Sequence, residues 1–477
     1  MRRTKILATL GPVSTPEPAL RALLAAGADA VRLNFSHGSA KEHEDVFARV
    51  RAAAAALGRS VPIVQDIQGP KIRVGKLDAP LALARGQEIR FRVGEHMREP
   101  GVVPITYAHL AEDVRAGDRI LMADGYLSAR VVEVEDRETV RAVVEDGGEL
   151  SSNKGVNFPG VRLSIRFPTP KDKLDIQTGQ RLGVDYLAVS FVRSAADIAK
   201  VRADLDEDMG TRVIAKIELR EAVENLDEII RASDGVMVAR GDLGVELAPE
   251  EVPLVQKRIL TECDRLGVPS ITATQMLESM IENPRPTRAE VTDVYNAVLD
   301  GTGAVMLSAE TAVGRHANEA VAVMGRICER AERDLLRPDG LRERRMARTT
   351  TAVSDVVAAG AATIAEDLGA KAILVLTHGG FAARLVSKHK PSVPIHACTS
   401  QARTYQRLGL LWGVSAHMIR YEEQELGAVG AARDAVVSAG ALTEEDTVVF
   451  ISSRGGVRRP SNTLRVGPLK EIAPARA

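Results

Sequence analysis

Aromatic residues make up only 3% of the 477-residue chain, with a single Trp, so any core has to be built from Ala, Val, Leu and Ile. Cysteine is scarce as well. Cys263, Cys328 and Cys398 stand far apart, and none falls in a CxxC or Cys/His spacing. That argues against a disulfide framework or a zinc site and predicts a reducing compartment. No stretch reaches the ~18 uninterrupted apolar residues of a membrane helix. The basic start, MRRTKILATLGP, has too short an apolar run for a signal peptide. An excess of one charge is also missing: 63 basic residues face 64 acidic ones, a net charge of −1. There is then no reason to expect nucleic acid or an anionic membrane as a partner. These absences together predict a soluble cytoplasmic protein, long enough for two or three domains.

What is present is alternation. Short apolar runs at 4–10, 29–35, 61–67, 185–191, 212–218, 234–240, 268–274 and 303–309 are rich in Val, Ile and Ala. Helix-like stretches lie between them, among them 16–26, 40–57, 195–208, 220–231, 250–266, 287–300 and 317–336. Continuous apolar strands separated by helices predict a parallel sheet covered by helices. Eight such units predict an α/β fold of the TIM-barrel type, a closed (β/α)8 barrel. A doubly wound open sheet is the alternative. Residues 71–166 break the alternation with period-two segments punctuated by Gly, Asp and Pro. They predict an inserted small β-barrel domain, placed as a lid over the mouth where barrel active sites lie. The catalytic barrel is thereby assigned to 1–70 and 167–340. Beyond an Arg-rich linker, 350–477 are assigned to a C-terminal α/β domain, a candidate regulatory unit.

The predicted C-terminal strand ends carry Arg32, Asn34, Ser36 and His37, then Asp66, Lys71 and Arg73. Further along come Lys216 and Glu218, Arg240 and Asp242, Thr274 and Gln275, and Ser308 and Glu310. Glu218 and Asp242 end consecutive strands, so both carboxylates can reach one ion. Two carboxylates with room for water suit Mg²⁺; helix caps or solvated loop acids are the plainer alternative. Lys216 sits in the otherwise apolar VIAKIE, a costly place unless its ammonium meets an anion. In VARGDLG a glycine turn is expected before a helix, with amides turned to an anion. Lys154 and His37 taken singly read as a loop lysine and a cap. The residues alone thus predict a Mg²⁺-dependent barrel enzyme acting on a small phosphorylated substrate.

RLNFSHG, GPKIR, NKGVN, AKIE, MVARGDLGVE, ATQMLESMIENPRPTRAEVTDVYNAVLDG and MLSAETAVG occur in this order over roughly residues 3–330. In order and spacing they resemble the pyruvate kinases. The resemblance implies a barrel, a β lid and a C-terminal α/β domain, and transfer of the phosphoryl group of phosphoenolpyruvate to ADP, giving pyruvate and ATP. It implies Glu218 and Asp242 as ligands of Mg²⁺, with Mn²⁺ as a substitute. Lys216 and Arg32 are implied at the transferring phosphoryl group, Thr274 at the enol face, Ser308 and Glu310 in support, and Gly241 and Asp242 at the substrate. Asn34, His37, Arg73 and Lys154 are implied at the nucleotide. A homotetramer is implied too.

In the same family Asn34, Ser36, Asp66 and the carbonyl of Ile67 match a cage for K⁺. Members with Lys where this chain has Lys71 typically do not need that ion. The expectation is that the Lys71 ammonium takes its place, leaving a K⁺-independent enzyme; a lysine pointing at solvent on the lid hinge is the alternative. Ala309 and Ala317 stand where the family usually has Gly and Pro. Gly379 and Ala382 stand where hydroxyl residues are usual in a phosphate-binding loop. Arg454, Arg458 and Arg459 offer charge instead, so a phosphorylated allosteric effector is a candidate partner. A Mg²⁺ lyase or aldolase and a catalytically weak regulatory homologue are the competing functions. The second predicts losses among Lys216, Glu218, Asp242 and Thr274, and all four are present.

Overall fold

Eight parallel strands close on themselves in a computed structural model that describes residues 2–97, 99, 101–336, 352–420, 425–452 and 462–472. The strands are Lys5–Thr9, Ala30–Asn34, Ile63–Ile67, Tyr186–Val189, Arg212–Ile217, Gly235–Ala239, Ser270–Ala273 and Ala304–Leu307. They follow chain order around the ring, and Lys5 pairs with Ala304 to close it. The open-sheet alternative is therefore excluded. Period two sorts the side chains of each strand into two sets. Leu7, Ala30, Val64, Ala188, Ile214, Met237 and Ile271 fill the interior, with Leu410 packed among them. Residues one position along, such as Ile6, Val31, Ile63 and Val305, pack against the surrounding helices.

Several helices are fixed by their ends. Ala40–Ala56 starts with a capping box between Ser39 and Glu42, and Arg288–Leu299 with one between Thr287 and Glu290. Pro170–Leu182 combines Pro at its start, a Thr169–Asp172 capping box and a left-handed Gly183 at its end. Asp172 also accepts from the amide of Gly69 at 3.0 Å, which ties the turn leaving the third strand to the helix that re-enters the barrel. Two expected helices are shorter than their patterns. The stretch 195–208 is helical over Ala195–Ala203, followed by a tight turn at Glu207–Met209. The stretch 220–231 splits into Arg220–Glu224 and Leu226–Ala232 at Asn225, whose side chain donates to the carbonyl of Arg193.

The inserted segment holds a six-stranded sheet, ordered Val156–Asn157, Arg119–Met122, Leu127–Val134, Thr139–Asp146, Glu88–Val93 and Val102–Ile105. A two-stranded ribbon, Leu81–Leu83 with Gly148–Leu150, completes it. It has its own core around Phe91, Ile105, Leu110 and Ile120. The last described unit is a five-stranded sheet ordered Val414–Met418, Ile395–Thr399, Ala372–Leu376, Thr447–Ser452 and Thr463–Pro468, the last strand antiparallel. Helices cover both of its faces, each over a separate core. It docks on the N-terminal end of the barrel: Lys5 Nζ donates to the carbonyl of Val414, and Tyr186 Oη to that of Arg407. Arg454, Arg458 and Arg459, and the Arg-rich linker after Leu336, lie outside the described residues.

Candidate active site

Period two also builds the site at the other end. Arg32, Asp66, Ser190 and Lys216 stand two residues beyond the interior-facing Ala30, Val64, Ala188 and Ile214, so they continue the interior set upward into the mouth. The apolar filling stops one layer below them.

At the centre is Lys216, whose side chain is only 11% exposed. Its ammonium donates to Ser190 Oγ at 2.7 Å and lies 2.8 Å from Glu218 Oε1 and 3.3 Å from Asp66 Oδ1. Arg32 Nε donates to Asp66 Oδ2 at 2.6 Å, and Arg32 Nη1 to Thr9 Oγ1 at 3.3 Å. Asp66 therefore holds two cations side by side. Burial raises its proton affinity, but Arg32 and Lys216 outweigh that and keep it below the usual carboxylate range. Burial pulls the Lys216 ammonium down, and Asp66 and Glu218 more than reverse it, so it stays charged. Ser190, absent from the residues singled out in the sequence, joins the group through Lys216 and through the carbonyl of Ile67 at 2.8 Å. Its signal was its parity with Ala188 at the end of DYLAVSF.

Glu218 is buried, and its Oε2 accepts from the amide of Phe191 at 2.7 Å. Phe191 is left-handed at φ 57°, a strained state for an aromatic residue that turns this amide inward. Burial pushes the Glu218 carboxyl up, Lys216 pulls it down, and the nearby Asp242 pushes it up again. Two mutually repelling carboxylates with only oxygen donors fit a hard divalent cation. Among the described residues no group of three or more His, Cys, Asp or Glu forms a metal cage, so substrate oxygens and water have to complete the shell. Asp242 is part-exposed, and its ion pair is with Lys71, at 3.8 Å.

That pairing corrects one expectation. No ion pair forms between Lys71 and Asp66 among the described residues. The Asp66 carboxylate is taken by Arg32 and Lys216, the Ile67 carbonyl accepts from Ser190, and Asn34 Oδ1 accepts from the amide of Ser36 at 3.2 Å. Lys71 instead lies at the lid hinge, its stem packed close to Gly155. A second expectation shifts as well. Arg240–Glu246 is itself a helix directly after the strand, so Gly241 lies in its first turn rather than in a glycine turn before it. The Gly241 amide donates to Thr274 Oγ1 at 2.8 Å, and that hydroxyl donates to the carbonyl of Ala273 at 2.6 Å. Thr274 and Gln275 are both left-handed, at φ 67° and 53°. Arg240 supports this bend by donating to the carbonyls of Ala273 and Thr274.

The remaining residues lie further out. Glu310 is buried and accepts from the amides of Leu277 and Ser308 at 3.1 and 2.7 Å, joining the loops after the seventh and eighth strands. Arg73 donates to the carbonyl of Asn153 at 3.0 Å, and the chain on either side of Arg73 pairs with residues 153–156 of the lid. Lys154 and His37 are exposed. The carbonyl of His37 meets His43 Nε2 at 2.9 Å, and the His43 ring stacks on Phe35 at 3.8 Å.

Two family models match the chain in order: "Pyruvate kinase, barrel domain" over residues 1–321 and "Pyruvate kinase, alpha/beta domain" over residues 355–467. Pyruvate kinase 2 of Synechocystis sp. is 46% identical over 88% of this chain and 71% of its own length. The pyruvate kinase of Geobacillus stearothermophilus is 43% identical over 94% of this chain and 77% of its own. That of Agrobacterium vitis is 41% identical over 94% and 95%. With the closed barrel and the C-terminal α/β unit both accounted for by these models, the chain belongs to the pyruvate kinase family and is a phosphotransferase.

Proposed function

We propose that this enzyme moves the phosphoryl group of phosphoenolpyruvate to ADP, with Mg²⁺ held by Glu218 and Asp242 and with no requirement for K⁺. The observation that carries this reading is the buried group of Lys216, Arg32, Asp66 and Ser190 at the barrel mouth. Phosphoryl transfer needs positioning and charge neutralisation more than covalent help. Arg32 and Lys216 are held in place by Asp66 before any substrate arrives. In this reading both face the transferring phosphoryl group, so little reorganisation is needed as charge moves.

The bond from phosphorus to the enol oxygen breaks, and one from phosphorus to a terminal oxygen of ADP forms. The enolate left behind takes a proton at its methylene carbon and becomes pyruvate. Lys216 neutralises the enolate oxygen. Thr274, with its hydroxyl held between the Gly241 amide and the Ala273 carbonyl, fixes the face from which the proton comes. When bound, the divalent cation polarises phosphoryl and carboxylate oxygens as a Lewis acid; Mn²⁺ would serve in place of Mg²⁺. Asn34, His37, Arg73 and Lys154 would grip the nucleotide, and lid closure would exclude water. Lys71 brings a positive charge to Asp242, outside the cage, and in this reading that charge stands in for K⁺. A homotetramer working in the cytoplasm completes the reading.

The test is pyruvate formation from phosphoenolpyruvate and ADP with Mg²⁺, in buffer free of K⁺ and NH₄⁺ and then with K⁺ added. Full activity in the first buffer is expected. Activity only after K⁺ is added would overturn the role of Lys71, and none in either would overturn the reaction.

A further inference from the structure

The helix Arg240–Glu246 carries Gly241 and Asp242 in its first turn, and it also meets the lid. Asp242, Val245 and Glu246 are spaced by three and four residues, so they share one face of the helix. Leu243 turns away from that face into the barrel core. Asn157, in the lid strand Val156–Asn157, donates from Nδ2 to Glu246 Oε1 at 3.1 Å. The lid turn that holds Gly125 comes down on Val245: a side chain placed on Gly125 would begin 3.9 Å from Val245 Cγ1. Lys71, at the hinge, stands 3.8 Å from Asp242. One short helix thus receives the hinge, a lid turn and a lid strand on the face that bears Asp242.

Glu246 stands out by what it lacks. It is 9% exposed, yet among the described residues it forms no ion pair, and Asn157 is its one hydrogen-bond partner. Burying a carboxylate behind a single neutral donor is costly. Sheltered acids elsewhere in the barrel have cations. At the barrel base Arg202, Arg212, Arg231, Arg384 and Arg407 stand around Asp234, and two of them pair with it, Arg202 at 2.7 Å and Arg212 at 3.2 Å. Arg220 acts on Glu246 only at longer range, its own ion pair being with Glu251 at 3.5 Å. Asn157 belongs to the lid, so the shelter of Glu246 depends on where the lid sits. Beside this bond a cavity of about 420 Å³ separates Phe158 and Leu163, on the chain leaving the lid, from Phe191 and Leu219 of the barrel. Packing does not hold the lid down on that side, so its contacts with the helix carry the seating.

We propose that Glu246 and Asn157 are positioning residues for the divalent cation. Their hydrogen bond latches the lid to the helix that carries Asp242, so seating the lid sets the place of the Asp242 carboxylate and with it the affinity for the cation. The inference rests on the reading of Glu218 and Asp242 as metal ligands. Neither Glu246 nor Asn157 touches the cation; both act through the helix. A neutral side-chain amide at position 246 accepts the same hydrogen bond without burying a charge. Gln there should therefore keep the latch, and Ala should lose it.

Titration of the full chain with Mn²⁺ tests this, read from the free-ion electron paramagnetic resonance signal with no nucleotide or substrate present. Asn157→Ala and Glu246→Ala are each expected to weaken Mn²⁺ binding about threefold or more. The double variant is expected to lose no more than either alone, because both changes remove the same bond. Glu246→Gln is expected to stay near wild type. Melting temperatures are recorded beside the titrations. Asn157 lies in the lid rather than in the barrel core, so its variant decides the matter if Glu246→Ala fails to fold. Asp242→Asn is the reference. If it binds Mn²⁺ as tightly as wild type, the metal reading fails and the latch falls with it. If it binds weakly while Asn157→Ala matches wild type, the metal reading stands and the latch is overturned. Losses that add up in the double variant, or a Gln variant as weak as the Ala variant, overturn the latch as well.

Discussion

The two ends of the barrel are made by the same eight strands and solve opposite problems of charge. At the mouth, cations and acids come from neighbouring strands and satisfy one another: Arg32 and Lys216 on Asp66, Lys216 on Glu218, Lys71 near Asp242. At the base, five arginines gather around one aspartate, and two of them turn to carbonyl oxygens for want of an acid. The mouth is a preorganised site, its side chains locked before substrate arrives. The base is held in place by the docked domain and has charge to spare. The difference shows that a barrel's strands fix where side chains stand, while what covers each end decides what they can do.

The sharpest way to break the comparison is Lys216→Met. Losing the shared cation at the mouth should lower kcat by about 10³-fold. It should also lower the melting temperature, because Asp66 and Glu218 stay buried without it. Unchanged kcat would remove Lys216 from the chemistry. Next, Asp242→Asn should weaken Mn²⁺ binding at least about tenfold, read from the free-ion electron paramagnetic resonance signal. Equal affinity would show that Glu218 holds the cation without it. A smaller effect is expected of Lys71→Gln: a rate in K⁺-free buffer lowered about tenfold, and regained in part when K⁺ is added. No response to K⁺ would show that the hinge lysine is not what replaces it. The mildest is Asp234→Asn at the base. It should cost about 1–2 kcal/mol in urea unfolding, since its two arginines are only partly shielded from water. An unmoved midpoint would mean that the base tolerates its charge excess without the one acid.

Much of the fold was legible. All eight barrel strands fall inside the apolar runs of the sequence, because strands covered on both sides must be continuously apolar. The C-terminal sheet was only partly legible. Val414–Met418 is an edge strand with half-buried Ser415, Ala416 and His417, and its pattern VSAHM gives no apolar run. Glu425–Ser438 is rich in Ala and Gly, with little contrast between its faces. In the site, Lys216, Glu218, Arg32 and Asp66 stand out as charges inside apolar runs. Ser190 does not, because a lone serine after LAV has many ordinary explanations. The partner of Lys71 was not legible either. Its expected cage lies on the second and third strands, and the ammonium points instead across the hinge to the helix after the sixth.

The sequence by itself determined the period of each strand, hence which residues share a face, and the order in which strands and helices alternate. It also determined where the charged residues sit along each strand. Only the tertiary structure decided which charges meet. Closing the ring brings residues 32, 66, 190 and 216 within hydrogen-bond reach of one another, and docking the C-terminal domain brings residues 384 and 407 against 212 and 234. Interactions of this kind fall off within a few ångströms and depend on burial. They are therefore set by strand register and domain docking, which no local pattern encodes.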